Sequence, residues 1–171
     1  MGNVRGFEAP SPSVTSSTPL FHVTIASLWA GDVILPGRFG STWRVFRPGG
    51  AMPSSTDINT LLWEVALESA RKAAAPTRPS RLDCVFACES IQEALIFRRR
   101  FRPDGKLLRV QLLEAVSPCH RGDFSLISDS IASGPYTDYM SLAAARYWTT
   151  EPSNMVEVLV GGAVSVLSEV E

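Results

Sequence analysis

The sequence has little surplus charge and no long apolar run. Its 16 Lys and Arg residues against 17 Asp and Glu residues give a net charge of -1, so we expect no global attraction to nucleic acid or to an anionic membrane. Because no run of about 18 apolar residues occurs, we expect no membrane-spanning helix. The chain does not start with a basic segment and an apolar core, which argues against a secretory signal peptide.

Cysteine and histidine are both scarce. The cysteines are Cys84, Cys88 and Cys119, and there are two histidines. An odd number of cysteines without a CxxC pair predicts reduced thiols, and hence a cytoplasmic protein. With so few scattered ligands we expect no metal site. A catalytic Cys119 beside His120 is not favoured, because adjacent residues of an extended segment point to opposite faces.

Length and composition predict one domain behind a polar tail. The chain has 171 residues, of which 45% are hydrophobic, and this is enough for one core. Residues 1–19 are rich in Ser, Thr and Pro and bury too little to offset ordering entropy, so we predict a flexible tail there and a single domain over residues 20–171. The Ser-rich tail also suits a substrate of a bacterial secretion system, which leaves delivery to a host or target cell as an alternative.

The periodicity of apolar residues predicts a mixed α+β chain. Strands are expected at residues 20–24, 85–87, 107–116, 156–160 and 163–167, and helices at residues 57–75, 91–101 and 135–147. The first helix is capped by Thr56 or Asp57, with Glu64 on a solvated face. The residues that recur at helical spacing along it are Ile58, Leu61, Leu62, Val65 and Ser69. Ser90 and Glu93 form a capping box for the second helix.

The segment Leu20-Phe21-His22-Val23-Thr24 carries the first candidate functional residues. Period-two alternation places His22 and Thr24 on the same face of a strand. An imidazole and a hydroxyl side by side both donate and accept hydrogen bonds, and so suit a ribose diol. A strand with a hydrogen-bonded core histidine is the alternative interpretation, which a motif this short leaves open.

Two further segments carry candidate binding or catalytic groups. Gly37 and Gly40 flank Arg38 in a predicted loop whose backbone allows close approach of a ligand, and the guanidinium suits a phosphate; an ordinary turn with a solvated arginine is the alternative. Glu157 opens a late apolar strand, where its carboxylate suits a sugar hydroxyl and a developing positive charge. A strand-end carboxylate in water is the alternative there.

An arginine-rich segment offers a third kind of site. Residues 97–102 combine four arginines with two phenylalanines, a mixture that suits nucleic-acid bases and phosphates. The same arginines also complement the C-terminus of the predicted helix. His120 and Asp123 are predicted to lie in a loop, and we expect them to have a structural role there.

Together these motifs resemble those of the ADP-ribosyltransferases of the diphtheria-toxin and PARP type. His22 followed by Thr24 resembles their first motif, residues 84–87 with a helix behind them the second, and Glu157 at the head of residues 157–160 the third. With Ser80-Arg81 and Tyr147-Trp148, the set is similar to a little-characterised group of small bacterial proteins near the DarT-like transferases. The resemblance covers about residues 20–168.

The resemblance implies a fold and a substrate. The fold would be an α+β ADP-ribosyltransferase-like domain, in which two small, mostly antiparallel sheets flanked by helices form a cleft for NAD. His22 and Thr24 would hold ribose hydroxyls, Phe86 would pack on nicotinamide, and Gly37 and Arg38 would face the pyrophosphate.

The resemblance also implies a reaction. Glu157, with His22, would be catalytic in a toxin-like or effector-like mono-ADP-ribosyltransferase that cleaves the nicotinamide–ribose bond of NAD. The ADP-ribose would pass to an unidentified macromolecular acceptor, protein or nucleic acid, which faces residues 149–154.

One position departs from the family pattern. The second motif usually holds a tyrosine that stacks on nicotinamide, and Val85 stands there in this sequence. The stacking role then passes to Phe86, or to Tyr139 or Tyr147, or is lost. Its loss would leave a catalytically inactive binding module of the same fold, with nucleic acid as one candidate partner through the arginine-rich segment.

Overall fold

The computed structural model of the chain describes residues 13–15, 17, 19–129 and 135–170. The strands in these residues are β1 Ser13–Thr15, β2 Leu20–Thr24, β3 Val33–Ile34, β4 Val85–Ala87, β5 Lys106–Leu112, β6 Val116–Asp123, β7 Val156–Val160 and β8 Val164–Val170. They form two antiparallel sheets, a first of order β1-β6-β7-β4 and a second of order β2-β5-β8-β3. The predicted α+β class with two small antiparallel sheets is therefore confirmed.

Helices in the same part of the chain connect and cover the sheets. They are α1 Arg38–Trp43, α2 Ser55–Ala74, α3 Ile91–Phe101, α4 Ser125–Ser128 and α5 Tyr136–Thr149, with a 3₁₀ turn at Arg81–Asp83. The predicted cap at Ser90 is confirmed, since the Ser90 hydroxyl accepts a bond from the Glu93 amide, 3.2 Å away; the Glu93 carboxylate accepts from that hydroxyl at 2.8 Å. The cap of α2 is Ser54, rather than Thr56 or Asp57.

The two sheets meet along β2 and β4. Phe21 and Cys88 exchange two backbone hydrogen bonds of 2.9 and 2.8 Å, and this bridge joins the strands at one point only. Beyond it the sheets enclose a common apolar core, whose buried residues are Leu20, Val85, Ala87, Leu108, Val110, Leu112, Cys119, Val158, Val160, Val164 and Val166. Burial of this set stabilises the sheets against each other, by about 25 cal/mol for each Å² of apolar surface.

Helices α2 and α5 cover the outer face of the first sheet. Trp63 and Leu67 of α2 pack with Tyr147 and Trp148 of α5 over Leu159 of β7. The Trp148 indole donates a 2.7 Å hydrogen bond to the Leu67 carbonyl, which ties the two helices together.

The predicted apolar face of α2 is wrong. Ile58, Leu62 and Val65 are exposed, whereas the buried positions are Trp63, Glu64 and Leu67. Both stripes have helical spacing, so periodicity alone does not choose between them. The packing partner α5 selects the stripe that carries Trp63.

Three local predictions are also corrected. The strand predicted over 107–116 is interrupted by a turn at residues 113–115, which lack Gly, Pro, Asn and Asp and so gave no turn signal. Residues 120–123, predicted as a loop, complete β6 because they pair with β7. Arg38 begins helix α1 instead of lying in a loop, after Gly37 with a φ of 90°.

The predicted tail falls largely outside the described residues. Within it, Ser13–Thr15 form an edge strand paired with residues 116–118, where the sequence predicted no regular structure.

Candidate functional site

The candidate site lies where the two sheets diverge. His22 follows the Phe21–Cys88 bridge by one residue, and its Nδ1 lies 2.7 Å from the Phe86 carbonyl oxygen of β4. The imidazole therefore spans the split between the sheets. This bond fixes both the position of the ring and its tautomer.

His22 is held as a neutral hydrogen-bond acceptor. A carbonyl only accepts, so Nδ1 carries the proton and Nε2 keeps its lone pair. Burial lowers the pKa of His22; the bond to Phe86 opposes this shift and the nearby positive charge of Arg38 adds to it. No hydrogen bond to Nε2 is formed in the described part of the chain, which leaves that atom free to accept one from a ligand hydroxyl.

Val85 and Phe86 point to opposite faces of the first sheet. Val85 is buried in the core between the sheets. Phe86 pairs with Leu159, and Glu157 lies two residues from Leu159, so Phe86 and Glu157 share the outer face. Of the two residues, only Phe86 is on the side where a ring could pack near Glu157.

Helix α1 lies against Phe86. The Phe39 ring packs edge-on to the Phe86 ring at 5.0 Å. Gly40 allows this approach, because a Cβ there would lie 2.0 Å from the Leu82 carbonyl oxygen. The predicted phosphate-binding residues Gly37 and Arg38 open this helix, and Arg38 is exposed beside His22.

Glu157 is buried and already has two partners. Its Oε1 accepts a bond from Arg81 Nη1 and a 2.8 Å bond from the Tyr147 hydroxyl, and Arg81 Nη1 also donates to that hydroxyl at 2.9 Å. The guanidinium of Arg81 lies over the Phe86 ring, 4.9 Å from its centre. No bond to Oε2 of Glu157 is made by the residues that the structure describes.

A second carboxylate, Glu64, completes the network. Arg81 Nε donates to both Glu64 oxygens, at 3.2 and 3.3 Å, and Arg81, Glu64 and Glu157 are each less than 7% exposed. Burial raises the pKa of Glu64 while Arg81 opposes the rise. Burial also disfavours the charge of Arg81, but the two carboxylates outweigh it, so the pKa of Arg81 is raised well above its usual value.

Tyr147 reaches this network because the sheet residue beneath its ring is a glycine, which has no side chain. Gly122 lies opposite Glu157 in the pairing of β6 with β7, and a Cβ on Gly122 would lie 2.2 Å from the tyrosine ring. Burial raises the pKa of Tyr147 well above its usual value and Glu157 adds to the rise, so the phenol remains a donor to the carboxylate.

The predicted site residues are only partly brought together. His22 bonds Phe86, Phe86 contacts Arg81, and Arg81 bonds Glu157. Thr24 is engaged elsewhere, since its hydroxyl accepts a 3.1 Å bond from the Ala26 amide in the turn after β2.

The sequence interpretation missed the part that Glu64 plays. Glu64 was assigned to a solvated face, although Thr60, Trp63, Glu64 and Leu67 share a helical stripe that contains two large apolar residues. A carboxylate inside such a stripe is a signal for a buried cation partner. That partner, Arg81, opens the 3₁₀ turn that leads into β4.

Comparison with known proteins assigns a family. The sequence model of the family described as "Protein of unknown function (DUF2441)" matches residues 50–171, so the chain belongs to this family. The match includes Glu64, Arg81, Phe86 and Glu157 and excludes His22. No curated protein matches the chain.

Neither a metal-binding cluster nor a membrane-spanning helix is present in the described part of the chain. No group of three or more His, Cys, Asp or Glu suited to a metal ion occurs among the described residues. Over the same residues, no helix combines the length and apolar character needed to cross a membrane.

We predict that Arg81→Met destabilises the protein by about 3–5 kcal/mol, because it leaves two buried carboxylates without their cation. The matched control is Arg44→Met, which breaks an ion pair with Asp83 whose side chains are 51% and 57% exposed. The control should change stability by less than about 1 kcal/mol. Urea unfolding measures both, and equal effects would contradict a central role for the Arg81 network.

We predict that His120 makes stability fall as the pH falls. Burial lowers the pKa of His120 to about 4 in the folded protein, against 6.5 for an unperturbed histidine. Below pH 6.5 the unfolded chain takes up the proton first, so stability declines between pH 6.5 and about 4, by about 3 kcal/mol in total. Unfolding at several pH values should show a smaller decline for His120→Gln. An unchanged decline in that variant would contradict the assignment.

Proposed function

We propose that the protein is an ADP-ribosyltransferase-type enzyme that cleaves NAD at the junction of the two sheets. The observation that carries the proposal is the connection of the three motif residues. His22 bridges the split between the sheets to Phe86, and Phe86 stands next to Arg81 and Glu157. A neutral His22 with a free Nε2 suits a ribose hydroxyl.

The reaction is cleavage of a glycosidic bond. The C1′–N bond of the nicotinamide ribose breaks, nicotinamide leaves with the electron pair, and positive charge develops on the ribose carbon. A carboxylate beside that carbon stabilises the charge. An acceptor nucleophile then bonds to C1′ and gives up its proton.

Glu157 fits this role because its two oxygens differ. Arg81 and Tyr147 both bond to Oε1, which holds the carboxylate in one orientation. Oε2 has no bond from the described chain and is the atom that would accept the 2′-hydroxyl of the nicotinamide ribose. Phe86 would take the place of the ADP-ribosyltransferase tyrosine as the ring that packs against nicotinamide, and Arg38 would face the pyrophosphate.

A non-enzymatic binding module of the same fold is the second candidate. It is favoured by the burial of Glu157, whose side chain is only 8% exposed and is paired with Arg81. A substrate must reach this carboxylate past the Phe86 and Arg81 side chains. The module would keep the fold for binding, with a degraded NAD pocket and no turnover.

We predict that the protein releases nicotinamide from NAD and that Glu157→Gln lowers the rate by about 100-fold or more. The amide keeps the size of the side chain and removes the negative charge that stabilises the developing positive charge on the ribose. Mass spectrometry of nicotinamide, with and without cell lysate as a source of acceptor, gives the rate.

The control is Glu169→Gln, which removes a carboxylate paired with Lys106 on the exposed end of β8. It should keep the native rate. Nicotinamide release that persists in Glu157→Gln contradicts the catalytic assignment. No release by the native protein under either condition, together with no measurable NAD binding, favours the binding module.

A further inference from the structure

A polar groove that does not include His22 or Glu157 lies beside the C-terminal end of α5. It has a volume of about 350 Å³ and is lined by Arg78, His120, Arg121 and residues 148–151. Its floor is the stacked pair of His120 and Trp148, whose rings are 4.5 Å apart. The volume falls in the range of small-molecule sites.

Arg78 brings an unpaired positive charge to this groove. The backbone around it is fixed, because Arg71 donates a 3.0 Å bond to the Arg78 carbonyl. The side chain is half-buried, its Nη1 atom is buried without a hydrogen-bond partner, and no ion pair joins it to a carboxylate of the described residues. A buried guanidinium N–H without an acceptor is costly, so a turn of the Arg78 side chain toward an anion in the groove would be favoured, because the anion supplies the missing acceptor.

Arg121 supplies a second guanidinium, and an anion can displace one of its two carboxylate partners. It bonds Glu89 at 3.0 Å and Glu151 at 3.1 Å, and the Glu151 side chain is 83% exposed. Exposed ion pairs of this kind contribute little, so a stronger anion can take the place of Glu151. His120 contributes no positive charge near neutral pH, because burial lowers its pKa to about 4.

We propose that this groove binds the phosphate group of a small ligand between Arg78 and Arg121, with Glu151 displaced from Arg121. Guanidinium forks match the oxygens of a phosphate group. The Thr149 and Thr150 hydroxyls at the rim donate to their own helix and keep lone pairs for a ligand hydroxyl. The proposal does not depend on the NAD chemistry of the first site.

Titration calorimetry with inorganic phosphate and with adenosine monophosphate tests the proposal in its two forms, free phosphate and a phosphate ester. Arg78→Gln should weaken binding by about tenfold or more, because the unpaired donor is lost. Glu151→Gln should tighten it, because the internal competitor is lost. Arg109→Gln, an exposed arginine of β5, is the matched control and should bind as the native protein does.

The control variant loses the same positive charge as Arg78→Gln, so a loss of binding confined to Arg78→Gln separates a specific site from a general change in charge. Binding of either phosphate compound that is equal in the native protein and in Arg78→Gln would overturn the proposal, as would no binding of either compound at millimolar concentration. If Arg78→Gln does not fold, the Arg78 Nε–H signal of the native protein is followed by NMR. A shift of that signal on adding phosphate supports the site, and an unchanged signal overturns it.

Discussion

The guanidinium of Arg81 between Glu64 and Glu157 is the interaction on which the rest of the candidate site depends. One buried cation faces two buried carboxylates, and Tyr147 bridges two members of the network. Removing such a cation leaves charges that water cannot reach, so the network fixes where α2, the 3₁₀ turn and β7 stand relative to one another. The same contacts orient Glu157 and place Arg81 on the Phe86 ring.

The split between the sheets is the second constraint. Because β2 and β4 are joined by a single backbone bridge, the imidazole of His22 can enter the space beyond it and bond to β4. The apolar core holds the two sheets together on one side of the split. On the other side, Phe39 of α1 packs against Phe86 of β4. In a regular sheet the Phe86 carbonyl would accept from a neighbouring backbone amide, whereas here it accepts from the His22 imidazole.

Local patterns predicted much of the fold. Period-two alternation located β2 and β5, short apolar runs located β4 and β7, and capping residues located α3, because these signals depend on a few neighbouring residues. The face of α2 and the turn at residues 113–115 were not predictable in this way, since both are decided by partners distant in sequence. Glu64 was missed for the same reason: only the packing of α2 on α5 and Arg81 turns its side chain inward.

The measurement that tests the central claim most directly is the NMR spectrum of the His22 imidazole nitrogens with and without NAD. The chain has two histidines, so the signals are assigned with one His120 variant. The account predicts a protonated Nδ1 and an unprotonated Nε2 in the free protein, and a shift of the Nε2 signal when NAD is added. A His22 signal that does not change at saturating NAD, or a proton on Nε2 instead of Nδ1, would contradict it.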